Sequence, residues 1–160
     1  MKLTDALLGE HGMLYALFER IDELISSTDD IHEIRGALSI LDAQLRSHAK
    51  IEEDLLFPRL EPYLGQMGPI SVMLSEHRVI DHHMDAAKTA TDLETLKRHI
   101  RGLLEVSRSH FQKEEMVLFA MARQFLDDDE LAQLGDDWAA TRKVTTDGQG
   151  CGGMAKASES

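Results

Sequence analysis

Ser47-His48-Ala49-Lys50-Ile51-Glu52-Glu53-Asp54-Leu55-Leu56-Phe57 returns 62 residues on as Ser109-His110-Phe111-Gln112-Lys113-Glu114-Glu115-Met116-Val117-Leu118-Phe119. The shared pattern is S-H-x-x-x-E-E-x-x-L-F. On a helix, residues four apart lie on one face, a turn apart. His48 therefore stands beside Glu52 and His110 beside Glu114, each an imidazole and a carboxylate able to share one cation. Each copy has an upstream companion: Leu7-Leu8-Gly9-Glu10-His11 recurs, 66 residues later, as Met73-Leu74-Ser75-Glu76-His77. The chain reads as a duplicated unit, E-H followed by H-x-x-x-E.

Around these motifs the periodicity is helical. The spacing predicts a first helix over about Asp5 to Ser26, capped by Thr4 or Asp5, with Leu7, His11, Leu14, Phe18, Ile21 and Ile25 on its inner seam. A second starts near Asp30, with Glu33 completing a capping-box-like pair. Its seam is Ile34, Leu38, Leu41, Leu45, His48, Glu52 and Leu55, and Phe57-Pro58 is expected to end or kink it. Residues 58–69 hold all three prolines and read as the longest connection. Pro69 opens a third helix to about Thr89, with Ile70, Met73, His77, Ile80 or Asp81, Met84 and Ala87 inward. Thr91-Asp92-Leu93-Glu94 reads as a capping box for a fourth, whose seam runs through Ile100, Leu103, Ser107, His110, Glu114, Val117, Met121 and Phe125. Asp127 to Asp129 open a short fifth helix edged by Leu131, Leu134 and Trp138. The expected fold is all-α: an antiparallel up-down-up-down four-helix bundle with a short C-terminal helix over residues 1–144. Residues 145–160, rich in Gly and Ser, are expected to be a disordered tail.

Composition agrees. The 160 residues are enough for one core, hydrophobic residues make up 42% and charged residues 29%, and both suit a water-soluble domain. A formal net charge of −12 opposes attraction to nucleic acid or an anionic membrane, so neither is expected as a partner. No apolar run approaches the roughly 20 residues that span a bilayer, and residues 1–9 flow into a helix rather than a leader. One cysteine, Cys151, cannot make an internal disulfide. A cytoplasmic location is expected.

Seam periodicity thus turns His11, His48, Glu52, His77, His110 and Glu114 inward. In an up-down bundle, early positions of helices one and three meet late positions of helices two and four, so all six can lie in one layer. A lone seam histidine is ordinarily a hydrogen-bonded core residue. Two carboxylates buried together without a cation are another matter, because each isolated buried ion is destabilising by several kcal/mol. Four imidazoles and two carboxylates suit two metal ions, each with two His ligands and a share in both carboxylates. Imidazole and carboxylate without thiolate favour iron, ahead of manganese or zinc. Asp81, a turn beyond His77, and Tyr15, a turn beyond His11, are secondary candidates. Glu10, Glu53, Glu76 and Glu115 face outward or accept hydrogen bonds from the imidazoles. His82, His83, His32 and His99 read as surface or flank residues. The rival ferritin-like di-iron fold needs Glu-x-x-His pairs, and no Glu here has His three residues on.

The motif order H…H-x-x-x-E…H…H-x-x-x-E over about residues 3–126 resembles the hemerythrin-like (HHE cation-binding) family. That resemblance implies a non-haem di-iron centre in a four-helix bundle, bridged by Glu52 and Glu114. It also marks departures from the oxygen carriers. They have a second histidine where this chain has Asp81. They bridge with an aspartate five residues after the fourth-helix histidine, where this chain has Glu114 at four. The chain looks instead like HHE proteins that sense or handle O2, peroxide, nitric oxide or iron. The expected function is therefore binding, sensing or handling O2 or a related small oxidant at a di-iron centre. The alternatives are an enzyme removing peroxide or nitric oxide, and an iron-storage or structural metal protein. The expected partner is a small diatomic or peroxide ligand, with a protein partner if the chain is a sensor.

Overall fold

A computed structural model describes residues 1–65 and 67–145. Its helices are α1 (Leu3–Ser27), α2 (Ile31–Ile51), α3 (Phe57–Leu64), α4 (Pro69–Thr89), α5 (Leu93–Lys113), α6 (Phe119–Phe125) and α7 (Asp128–Arg142). Two π-helical turns, Glu52–Leu56 and Glu114–Leu118, join α2 to α3 and α5 to α6 without a break. The described residues thus form four long antiparallel rods and a shorter fifth, with no strand. Around the bundle α1 packs on α2, α2 on α4, α4 on α5 and α5 on α1, while α7 lies against α1. No helix among the described residues is long and apolar enough to cross a membrane.

Several local expectations are corrected. Phe57-Pro58 does not end the second rod: Pro58 falls in the first turn of α3, directly after the π turn. The connection shrinks to residues 65–68, opened by Gly65 at φ 71°, a left-handed turn that glycine enters freely. The first helix begins at Leu3 with no side-chain cap, and Thr4 is buried. The cap of α5 is Asp92, which accepts from the Thr95 N–H, and Thr91 lies outside. Asp30 caps α2 as expected, but its N–H donates to Thr28 Oγ1 and not to Glu33, so no capping box forms there, whereas Asp127 with Glu130 forms a full one on α7.

The π turns also shift the seam. Straight α-periodicity carries it through Leu55 and through Val117 and Met121. The buried residues are instead Leu56, Phe57 and Leu60, and Leu118, Phe119 and Ala122. Each π turn inserts one extra residue, so everything beyond it is displaced by one position. Val117 is left 45% exposed.

Two apolar blocks result. One is built from Leu14, Phe18, Leu41, Leu45, Ile80, Met84, Ile100 and Leu103 with their neighbours. The other contains Leu3, Leu7, Ile51, Leu56, Met73, Leu118 and Phe119, and α7 seals it with Leu131 and Leu134. Between the two blocks lies a single polar layer. The expected boundary at residue 145 and the expected tail fall almost wholly on residues 146–160, outside the described residues.

Candidate metal centre

The layer is made by one histidine from each of α1, α2, α4 and α5 and by one glutamate at the start of each π turn. His11, His48, His77, His110, Glu52 and Glu114 are all buried, both glutamates completely. Their donor atoms fall into two groups: His11, His48, Glu52 and Glu114 in one, and His77, His110, Glu52 and Glu114 in the other. Within each group the atoms lie within 4.8 Å of one another.

Both glutamates belong to both groups because each spans them with its two oxygens. Glu52 Oε1 is 3.4 Å from His48 Nε2, and its Oε2 is 3.4 Å from His77 Nε2. Glu114 Oε2 is 3.3 Å from His11 Nε2, and its Oε1 is 3.1 Å from His110 Nε2. Within each group the two histidines also meet: His11 Nε2 faces His48 Nε2 at 3.0 Å, and His77 Nε2 faces His110 Nε2 at 3.0 Å. Donors about 2.0–2.2 Å from one ion, at angles of 90–110°, are roughly 2.9–3.5 Å apart. The observed separations fall in that range.

The outer nitrogens decide the protonation. His11 Nδ1 donates to Glu115 at 2.9 Å, His48 Nδ1 to Glu10 at 2.8 Å, His77 Nδ1 to Glu53 at 2.7 Å and His110 Nδ1 to Glu76 at 3.0 Å. An ionised carboxylate only accepts, so each Nδ1 carries the proton. In a neutral ring the Nε2 lone pair then points inward. Four lone pairs and four carboxylate oxygens converge, and none of those oxygens makes a well-formed hydrogen bond. This donor set fits cations that take all eight atoms.

The electrostatics ask for the same thing. Burial pushes the Glu52 carboxyl up, but His48 and His77 beside it hold it well below the usual carboxylate range. Burial would lower His48, yet the charge of Glu52 close beside it and the hydrogen bond with Glu10 raise it to about 10. His77 follows the same pattern, with burial outweighed by Glu52 and Glu53, and rises to about 9. His110 is raised as well, burial being overcome by Glu114. The cavity demands positive charge, which protons or metal ions can supply.

Outer supports differ between the halves. Glu10 is gripped by Arg142, with Nε at 2.6 Å and Nη2 at 2.9 Å, and by Trp138 Nε1 at 2.7 Å. Burial pushes the Glu10 carboxyl up, but His48, Arg142 and Trp138 bring it down to about 2. Glu76 is paired with Lys113. Sequence reasoning missed Arg142 and gave Trp138 only a packing role. They stand 132 and 128 residues from Glu10, and no local periodicity links such positions.

Neither secondary candidate joins the two groups. Asp81 is 49% exposed and pairs with Arg46 at 2.9 Å. The Tyr15 hydroxyl donates to Glu115 at 3.2 Å, and burial together with Glu115 raises its pKa to about 12. Phe111 stacks on His11 with ring centres 4.0 Å apart. A cavity of about 280 Å³ opens between α2 and α4, with Arg46, Glu53 and Asp81 at its polar lining and His48, His77 and His110 reached within it.

Comparison with known proteins adds family context. Residues 2–122 match the family described as the hemerythrin HHE cation binding domain. The chain is 36% identical to an iron-sulfur cluster repair protein YtfE of an Enterobacter species over 98 residues, covering 53% of this chain and 44% of that protein. The Escherichia coli O157:H7 YtfE is 34% identical over the same length and shares. A Nostoc protein named DNA nickase is 23% identical over 143 residues, 89% of this chain and 39% of that protein. The chain spans less than half the length of these relatives. No solved structure matches it.

Proposed function

This chain belongs to the hemerythrin HHE cation-binding domain family, and from that premise we propose that it is a non-haem di-iron protein that binds, senses or handles O2 or a related small oxidant. His11 and His48 hold one ion, His77 and His110 the other, and Glu52 and Glu114 bridge the two. Residues 1–144 act as one domain in this role. The observation that carries the reading is that each buried glutamate faces one histidine of each pair at 3.1–3.4 Å, with every Nδ1 already engaged outward. Iron bound there supplies redox chemistry toward oxygen species.

The chain's own residues do the rest. The outer carboxylates fix each ring's orientation and raise its basicity as a donor. Phe111, Leu45 and Ile80 keep the inner wall apolar, and the cavity beside His77 and His110 gives a diatomic molecule or peroxide a way in. Metal analysis and optical spectra of the purified protein test the proposal. Two irons per chain and an oxidised di-iron band that changes on reduction and re-exposure to O2 are expected. Absence of iron, or a single ion, overturns it.

A second reading is iron handling, because two relatives are named for iron-sulfur cluster repair. In that case iron passes from the protein to an apo-cluster acceptor faster than to a chelator alone. Consumption of peroxide or nitric oxide on repeated addition would instead assign an enzyme.

A further inference from the structure

Three histidines outside the buried layer come together on the α4–α5 pair. His83 and His99 face each other, Nδ1 to Nδ1, at 3.3 Å. The His82 ring centre is 5.7 Å from that of His83 and 6.3 Å from that of His99. His83 lies six residues beyond His77, or about 9 Å of helix rise, and takes no part in either donor group.

Gly102 makes room for this arrangement. A β-carbon at that position would stand 2.6 Å from His83 Cε1 and 2.9 Å from its Nδ1. Glycine is disfavoured inside a helix relative to alanine. Here its missing side chain leaves the space that the His83 imidazole fills.

We propose that His83 and His99, with His82 as a third donor, form a second cation site for a borderline divalent ion of the zinc or copper class. The spacing suits it, since two nitrogens each about 2.05 Å from a tetrahedral ion are about 3.3 Å apart. Imidazoles without thiolate match this class of metal. Three of them leave a fourth position for water. Burial, then His99 and His82, lower the His83 imidazole below its ordinary value, so its lone pair is available at neutral pH. His82 is exposed and joins as third donor by turning its ring toward the pair. An ion there clips α4 to α5 away from the buried centre.

Calorimetric titration of Zn²⁺ into the metal-replete protein tests this, with iron measured before and after. One Zn²⁺ per chain is expected to bind with the iron retained. His83→Gln and His99→Ala each weaken that binding by about tenfold or more. Gly102→Ala weakens it by displacing the His83 ring, whereas His32→Ala, exposed on α2, leaves it unchanged. The two histidine variants lie on different helices, and far-UV circular dichroism checks each. Zn²⁺ binding that survives both variants, appears only as iron leaves, or does not occur overturns the proposal. The iron content in the same sample separates this outcome from failure of the buried centre.

Discussion

Glu52 and Glu114 are the residues on which the interior balance turns. Each is wholly buried and each lies beside two imidazoles from different helices. Replacing either by Gln removes a bridging charge, and metal content per chain should fall to roughly half or less by elemental analysis. The imidazoles predict a pH effect whose sign follows from their raised pKa values. In metal-free protein, His48 and His77 lie above the ordinary histidine value, at about 10 and 9. Their protonation therefore contributes stability that is full below about pH 6.5 and is lost as pH rises through 9 to 10. Denaturant unfolding of chelated protein should show that decline. Metal-replete protein should not, because ions then occupy the protons' place. Glu10 behaves in the opposite sense. Its carboxyl is depressed to about 2, so the stability it lends is present above about pH 4.5 and disappears as pH falls toward 2.

At the scale of elements, each π turn opens with two consecutive glutamates, one buried in the layer and one outside it, that engage the same histidine. Glu52 reaches the inner nitrogen of His77 while Glu53 reaches its outer one. Glu114 and Glu115 do the same for His11. Deleting exposed Asp54 should restore α-geometry while keeping Leu56 and Leu60 inward. The expected result is a helical protein by circular dichroism that has lost most of its bound metal. Helix α7 acts as a brace, its Arg142 and Trp138 holding Glu10 in place behind His48. Arg142→Met strands a largely buried carboxylate and should lower unfolding free energy by about 2–3 kcal/mol. Trp138 is the chain's single tryptophan, so its fluorescence reports whether the brace has come loose.

Across the whole molecule, the repeat becomes a ring of partners. His48 leans on Glu10 of α1, His77 on Glu53 beyond α2, His110 on Glu76 of α4, and His11 on Glu115 beyond α5. Each rod therefore holds a histidine of a neighbour, and the two halves are related by the repeat. The apolar blocks on either side of the layer cannot satisfy it, so bound metal should stabilise the entire bundle. At free metal a thousandfold above Kd, one site adds about 4 kcal/mol, a rise in Tm on the order of 10 °C for a chain of this length. Scanning calorimetry before and after chelation checks this. The symmetry is broken outside the ring. Glu10 is enclosed by α7, whereas Glu53 is 43% exposed beside the cavity, so the pair formed by His77 and His110 is the one nearer solvent.

Local order was legible from sequence alone because it depends on near neighbours. The 3.6-residue period turned His11, His48, Glu52, His77, His110 and Glu114 inward, and the internal repeat paired them. Helix count and antiparallel order followed from short links between long amphipathic runs. Periodicity failed at Leu55, Val117 and Met121, because a π turn changes the phase without any turn-breaking residue to announce it. Arg142 and Trp138 on Glu10, and Arg46 on Asp81, were likewise beyond reach, since a contact between distant segments is set by how packed helices are rotated and by which charges that rotation leaves buried. Which nitrogen of each histidine faces inward was decided by carboxylates on neighbouring rods, and only the packed bundle brings those groups within hydrogen-bond distance.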